Sequence, residues 1–394
     1  MKKRILIVTP RFPYPVIGGD KLRIYQLSKE LSKYYSVTLV SLCESQLEYQ
    51  MDLPNDGVFD QVHKVYLPKW KSILNTFLSL PSKTPLQVAY YKSKSFNHLI
   101  HQLAKNHDVI IPHLIRVAGY VTDINKPKII EMTDAISMNY TRISNTKNNA
   151  GLKGLIYRIE KNRLLNYERN IAKYFQYSVL VSKYDKNFLF KDNSELYSRT
   201  LVCSNGVDLT NLPYNFIPGG YKLIFIGNMH SAQNFDAAFW FAKNVMPLLL
   251  SYGPYEFHII GKIPEDSARK LRQLNGIIVT GAVDSVARYA EGAVAGICSV
   301  RLAAGVQNKI LEYMALGIPT ITSSIGLEGL EAKKDIDILV SDTSDNYINQ
   351  IIKLNSDPLF AKNLAENAYK YVQENHSWSS KLTPLISTIN NILR

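Results

Sequence analysis

The sequence predicts an α/β fold of two doubly wound, Rossmann-like domains facing a cleft. Two observations carry this prediction. Short apolar runs alternate with amphipathic stretches, and a turn-rich segment splits the alternation into two series. In the first series, Ile5–Val8, Val37–Leu42, Val109–Ile111, Ile129–Ile130 and Ser178–Val181 read as buried parallel strands. A strand covered on both faces needs a continuous apolar run, not an alternating one. Between the first two, Asp20–Tyr34 carries Leu22, Tyr25, Leu27 and Leu31 in a helical pattern. The second series begins at Lys222 with strand Leu223–Ile226, helix Phe235–Leu250, strand Phe257–Ile260, helix Ser267–Leu274 and strand Ile277–Thr280. Helix Ser285–Glu291, strand Val294–Val300, helix Val306–Leu316 and strand Thr320–Ser323 follow. Right-handed crossovers turn such alternation into parallel sheets, and ligands bind beyond the carboxyl ends of their strands. The break lies in Asn205–Tyr221, where Asn205-Gly206, Pro213 and Pro218-Gly219-Gly220 supply turn chemistry. The expected division is 1–212, 213–376 and a last helix, 377–394, crossing back to the first domain.

A length of 394 residues, 46% apolar and 20% charged, suits an ordinary folded protein of two or three domains and excludes a disordered or fibrous one. No stretch approaches the ~18 apolar residues of a membrane-spanning helix. The opening MKKRILIVTP reads as a first strand, not a signal peptide. Cys43, Cys203 and Cys298 lie far apart and have no metal spacing, which points to a cytoplasmic protein without disulfides. Residues 1–200 carry 30 Lys and Arg against 16 Asp and Glu, whereas residues 201–394 carry 16 against 17. The net charge of +13 therefore comes from the first half, which is suited to an anionic partner.

The most informative segment runs from Val300 to Pro319. A strand ends near Val300, Gly305 and Val306 open a helix, and Gly317-Ile318-Pro319 stops it. A helix N-terminus behind a glycine attracts phosphate through its free N–H groups and its dipole. Arg301 and Lys309 add positive charge there. Glu312, three residues beyond Lys309, suits a carboxylate that accepts ribose hydroxyls. The plainer reading is a surface helix with a Lys–Glu pair.

Glu312-Tyr313-Met314-Ala315-Leu316-Gly317-Ile318-Pro319 resembles the donor-site signature of retaining glycosyltransferases of the GT-B fold, family 4 (glycosyl transferase group 1). Other landmarks of that family stand in the same order. Thr9-Pro10-Arg11-Phe12-Pro13-Tyr14-Pro15 leads into Gly18-Gly19-Asp20-Lys21-Leu22-Arg23, similar to the glycine loop that meets donor phosphates and acceptor. Val181-Ser182-Lys183, Asn205-Gly206-Val207-Asp208, Phe225-Ile226-Gly227-Asn228 and Ser377-Trp378 follow. The chain departs from the pattern in two places. Ala304 replaces the first Glu of the family's Glu-x7-Glu pair, and Asn228 and Gln233 stand where an Arg and a Lys commonly grip the diphosphate. Arg301 and Lys309 are expected to replace that charge.

The resemblance implies donor contacts at Gly18, Gly19, Gly227, Asn228, Gly305, Val306 and Glu312, and base contacts from the Gly281–Val283 backbone. There the alternative is a plain turn capped by Asp284. It also implies a polar group near the reacting sugar, a position that Asp134 takes; a carboxylate there could orient a hydroxyl, or simply cap a helix. Asp20, Arg23, His113 and Arg116 are the acceptor-side candidates. Asp335-Ile336-Asp337 reads as the solvated end of a short strand rather than a metal site, and no metal is expected. Two basic segments, Lys69–Lys94 and Lys147–Arg169, suit an anionic lipid surface or a solvated face; no nucleic-acid motif accompanies them.

Together these features imply a cytoplasmic, membrane-peripheral enzyme at the inner face of the membrane. It would transfer sugar, with retention, from a nucleotide-diphospho-sugar co-substrate to a glycan or lipid-linked acceptor, with no further cofactor. Bacterial surface polysaccharide synthesis is the implied setting. Asp134, Arg301 and Lys309 are the catalytic candidates. An inactive binding subunit of the same fold and a sugar-nucleotide epimerase remain the alternatives.

Overall fold

The structure, a computed structural model, describes residues 2–16, 18–144, 152–209, 211–302 and 305–394, with the side chains of 152–155 set aside. The chain divides into two compact units, Met1–Ser204 with Leu382–Arg394, and Asn205–Lys381. This differs from the sequence expectation of breaks at 212/213 and 376/377. The reason is local pairing. The Val207 N–H donates to the His376 carbonyl at 2.8 Å, and Val207 bridges Ser377, so 205–208 and 376–377 stay together in the second unit. Gly206 lies so close to Trp378 that a Cβ would stand 2.5 Å from its backbone nitrogen. Two of the sequence landmarks are therefore packing partners.

In the first unit, strands β1 (Arg4–Thr9), β2 (Ser36–Cys43), β3 (Gln61–Tyr66) and β4 (Val109–Pro112) form a parallel sheet in the order β3-β2-β1-β4. Strands β5 (Ile129–Thr133), β6 (Tyr177–Leu180) and β7 (Thr200–Val202) form a second parallel set. Isolated bridges Ile110–Lys128 and His113–Glu131 tie β4 to β5. The sequence runs marked β1, β2, β4, β5 and β6 but not β3 or β7. Strand β3 is an edge strand, half-exposed along its length, so it needs no apolar run. Strand β7 is only three residues long.

In the second unit, β8 (Lys222–Ile226), β9 (Glu256–Ile260), β10 (Ile277–Gly281), β11 (Ala295–Cys298), β12 (Thr320–Thr322) and β13 (Leu339–Val340) form one parallel sheet ordered β10-β9-β8-β11-β12-β13. In order of appearance this is 3-2-1-4-5-6, the doubly wound order whose direction reverses between the first and fourth strands. The expected helix Phe235–Leu250 is two helices, Ala232–Asn244 and Met246–Leu249. Pro247 causes the break, because it lacks an N–H and clashes with the preceding turn. Helix Asn308–Ala315 starts later than Val306, since Gly305 takes a φ of 68° and Gln307 is extended. It ends as the sequence implies. Gly317, at φ 74°, lets the Ile318 N–H return to the Tyr313 carbonyl at 2.9 Å.

Strands β8 and β11 pair only through Ala295–Leu223 and Gly296–Ile224, then part. Fully buried Tyr313 fills the parting. Its hydroxyl accepts the Ile226 N–H at 2.8 Å and donates to the Ile297 carbonyl at 3.2 Å. Gly296 makes room, since a Cβ there would lie 2.3 Å from the Tyr313 ring. Tyr313→Phe leaves a buried N–H and carbonyl without partners and should destabilise the chain by about 1–3 kcal/mol. Urea unfolding of the variant tests this, and an unchanged midpoint would refute it.

Candidate functional site

The parting of β8 and β11 is the topological switch point, where open α/β sheets bind ligands. The loop after β8 begins at Gly227. A Cβ on Gly227 would stand 3.0 Å from the Asn234 amide, and one on Gly261 would stand 2.0 Å from the Gly227 carbonyl. The Gly261 N–H donates to the Gly281 carbonyl at 2.8 Å, so the loops after β8, β9 and β10 interlock through glycines. Asn234, in the first turn of helix Ala232–Asn244, donates to the Asn228 carbonyl at 3.1 Å. Its side-chain oxygen accepts the Lys309 ammonium at 3.1 Å. Lys309 is buried, also donates to Gln307 at 3.3 Å, and lies 5.3 Å above the Phe225 ring. The structure thus brings Gly227, Asn228, Gly281 and Lys309 together. Asn234, which joins the Gly227–Asn228 loop to Lys309, was not singled out in the sequence; its only signal is its place one turn into the helix after the Gly227 loop.

Arg301 sits differently. Its guanidinium is held by both oxygens of Asp236, at 2.6 and 3.2 Å, and lies 5.7 Å from the Trp240 ring centre. Asp236 shares its charge, whereas Lys309 has neutral hydrogen-bond partners. Glu312 is half-buried, and its carboxylate accepts no hydrogen bond among the described residues. Desolvation pushes it up to about 7, against the pull of Lys309. Val306 is buried. Val283 packs beside the cluster of Ile226, Ile260 and Tyr313. The cap after Gly281 is Ser285, which accepts the Arg288 N–H, and not Asp284. Ala304, which takes the place of the family's first Glu, lies outside the described residues. Asp335-Ile336-Asp337 is a turn in which Asp337 accepts the Lys333 N–H at 2.7 Å.

In the first unit the candidates gather around a residue the sequence reading passed over. Glu131, on β5, takes the Arg23 guanidinium at 2.7 Å and His113 Nδ1 at 2.5 Å. All three side chains are buried. Burial raises the Glu131 carboxyl, but Arg23 and His113 outweigh it and hold it at about 2. A carboxylate inside an otherwise apolar strand run was the available signal. Thr133 donates to Glu131 through both its N–H, at 3.1 Å, and its hydroxyl, at 2.9 Å, and takes a φ of 66°. That left-handed turn, strained for a β-branched residue, carries Asp134. Burial and Asp185 push Asp134 up to about 7, against Arg116. Burial also raises Asp20, but Arg11, Arg116 and His113 bring it below its ordinary value. Gly18, at φ 105°, precedes helix Gly19–Ser32 and its carbonyl accepts the Leu22 N–H. Asp20, Arg23, His113, Arg116 and Asp134 therefore form one electrostatic group. Of the other landmarks, Ser182 caps helix Lys183–Phe190.

Residues 220–357 match the family of glycosyl transferases group 1. The 44.6 kDa protein in the cps region of Klebsiella pneumoniae is 21% identical, over 95% of this chain and 96% of that protein. Sucrose-phosphate synthase from Thermosynechococcus elongatus superposes with a TM-score of 0.74 at 13% identity, over 99% of both chains. Anabaena HepE, solved with UDP and glucose, gives 0.69 at 13% identity, over 99% of this chain and all of that one. The structural likenesses establish the fold, the α/β GT-B arrangement with parallel sheets.

Glu168 is a second buried acid in the first unit. It accepts the Ser137 hydroxyl and N–H, while its other oxygen has no hydrogen-bond partner among the described residues. Desolvation pushes it up to about 8 from an ordinary 4.5. Between those two values the folded chain holds a proton that the unfolded chain releases, so stability falls as pH rises through the window. Glu168→Gln, which copies the protonated form, should reduce that slope. Urea unfolding across the window measures it; equal slopes in variant and wild type would refute the assignment.

Proposed function

We propose that this chain is a glycosyltransferase that moves a sugar, with retention, from a nucleotide-diphospho-sugar to a glycan or lipid-linked acceptor in capsule-type polysaccharide assembly. The observation that carries the reading is the Glu312 carboxylate, which accepts no hydrogen bond among the described residues, one turn beyond the anchored Lys309 ammonium at the switch point of the matched domain. The carboxylate suits the ribose hydroxyls, the ammonium suits the diphosphate, and the Gly281–Val283 backbone suits the base. The cps-region relative supports the polysaccharide setting, and the UDP bound to HepE supports the donor class.

In the proposed reaction the bond between the sugar's anomeric carbon and the diphosphate oxygen breaks as an acceptor oxygen bonds to the same face of that carbon. The acceptor proton passes to the departing diphosphate. Lys309 stabilises the charge growing on that leaving group, and Arg301, shared with Asp236, has the smaller part. Asp134 orients a sugar hydroxyl. Gly18 and Gly19 let the backbone approach the phosphates, while Asp20, Arg23, His113 and Arg116 shape the acceptor side.

Thermal stabilisation by UDP-, GDP- and ADP-sugars identifies the donor. Glu312→Ala should then weaken nucleotide binding by about 1–3 kcal/mol, the range for a charge-assisted hydrogen bond. Unchanged affinity in the folded variant would remove the ribose assignment. Lys309→Ala should lower kcat more than it weakens donor binding. A raised KM with normal kcat would make Lys309 a binding residue only.

A further inference from the structure

Helix Lys69–Ser79 has its polarity reversed. Its apolar side chains, Trp70, Ile73, Leu74, Phe77 and Leu78, recur at i, i+3, i+4, i+7 and i+8, the stripe that normally faces a core. Here the stripe faces outward. Trp70 is 61% exposed, Phe77 65% and Leu78 70%, with Ile73 and Leu74 near half. The buried residues are Ser72 and Ser79, and Asn75 and Thr76 are half-buried between them. The inner face is fixed by hydrogen bonds: Asn75 donates to the Lys92 carbonyl at 2.9 Å, and Arg163 donates to the Leu80 carbonyl at 2.6 Å. Leu80, also exposed, extends the stripe.

Charge says what covers it. At about 100° per residue, Lys69 and Lys71 fall on opposite flanks of the stripe. Both are exposed, as are Lys83, Lys92 and Lys94. Between Asp60 and Asp108 the sequence contains seven lysines and no acidic residue. A second copy of the chain would bring like charges together. An anionic bilayer satisfies both parts, since its acyl boundary takes the stripe and its headgroups take the lysines. Among the described residues no helix is long and apolar enough to cross a membrane, so attachment would be to one leaflet. The charge of the other basic segment is partly engaged within the unit. Arg163 and Arg169 donate to backbone carbonyls of the unit itself, and Lys147 lies outside the described residues.

We infer that helix Lys69–Ser79 docks the protein on an anionic membrane, lying flat in the headgroup layer with Trp70, Ile73, Leu74, Phe77 and Leu78 toward the acyl chains. The inference is independent of the donor reading, because every residue it uses is in the first unit.

Co-sedimentation with phosphatidylcholine vesicles, with and without phosphatidylglycerol, tests it. Binding should require phosphatidylglycerol and fall with salt, since attraction fades within a Debye length of about 8 Å. Phe77→Ser with Leu78→Ser, and separately Lys69, Lys71, Lys83 and Lys92 each to Gln, should each weaken binding at least about tenfold. These side chains are exposed, so the unfolding temperature should hold. Brominated lipid should quench wild-type fluorescence, and Trp70→Phe should lose that quenching. Equal binding to neutral vesicles, no binding at low salt, or wild-type binding by the Phe77/Leu78 variant would overturn the inference. So would a lipid-free dimer that this variant dissolves, which would make a second copy the occupant.

Discussion

Two parallel strands that share a sheet would ordinarily remain paired along their length. In the second unit β8 and β11 part after two pairings, and a buried phenol takes over the hydrogen bonds the strands give up. Much follows from that substitution. Tyr313 must come from the helix that leaves β11, which sets the rotation of Asn308–Ala315 about its axis. That rotation buries Ile310, Leu311 and Met314 and leaves Glu312 half-exposed, while Lys309 reaches Asn234. Gly296 has no side chain because the ring occupies that space. The parting at the switch point is thus a by-product of how one tyrosine satisfies two backbone groups.

The first unit reaches a comparable end by charge. Glu131 stays ionised because a guanidinium and an imidazole meet it inside the sheet, while Asp134, three residues on, and Glu168 are pushed toward neutrality by burial. Glu131 anchors strand ends and Thr133; Asp134 is presented on the strained turn that results.

Much of this was legible beforehand. Buried parallel strands such as β1 and β8 announce themselves as apolar runs because both their faces are covered. That Lys309 and Glu312 stand one turn apart on a single helix behind Gly305 was legible from their spacing. What escaped detection depends on long-range pairing. Asn234 has meaning only once the loop after β8 and the helix after β11 lie side by side. Glu131 looks like a defect in a strand until Arg23 and His113, 108 and 18 residues away, are placed against it. The membership of 205–208 in the second unit rests on a bridge to Ser377 that no local pattern records.

The last helix, Trp378–Ile392, begins in one unit and from Leu382 belongs to the other. Leu382, Leu385 and Ile389 are buried, and Asn390 accepts the Tyr35 hydroxyl at 2.6 Å. The first unit is therefore discontinuous in the chain, with the whole second unit inserted before its final core residues. During synthesis residues 205–381 can complete their own sheet as they emerge, whereas the first unit must wait for residues made after them. Its apolar interior stays unfinished for the time taken to translate the intervening segment, at roughly 5–20 residues per second.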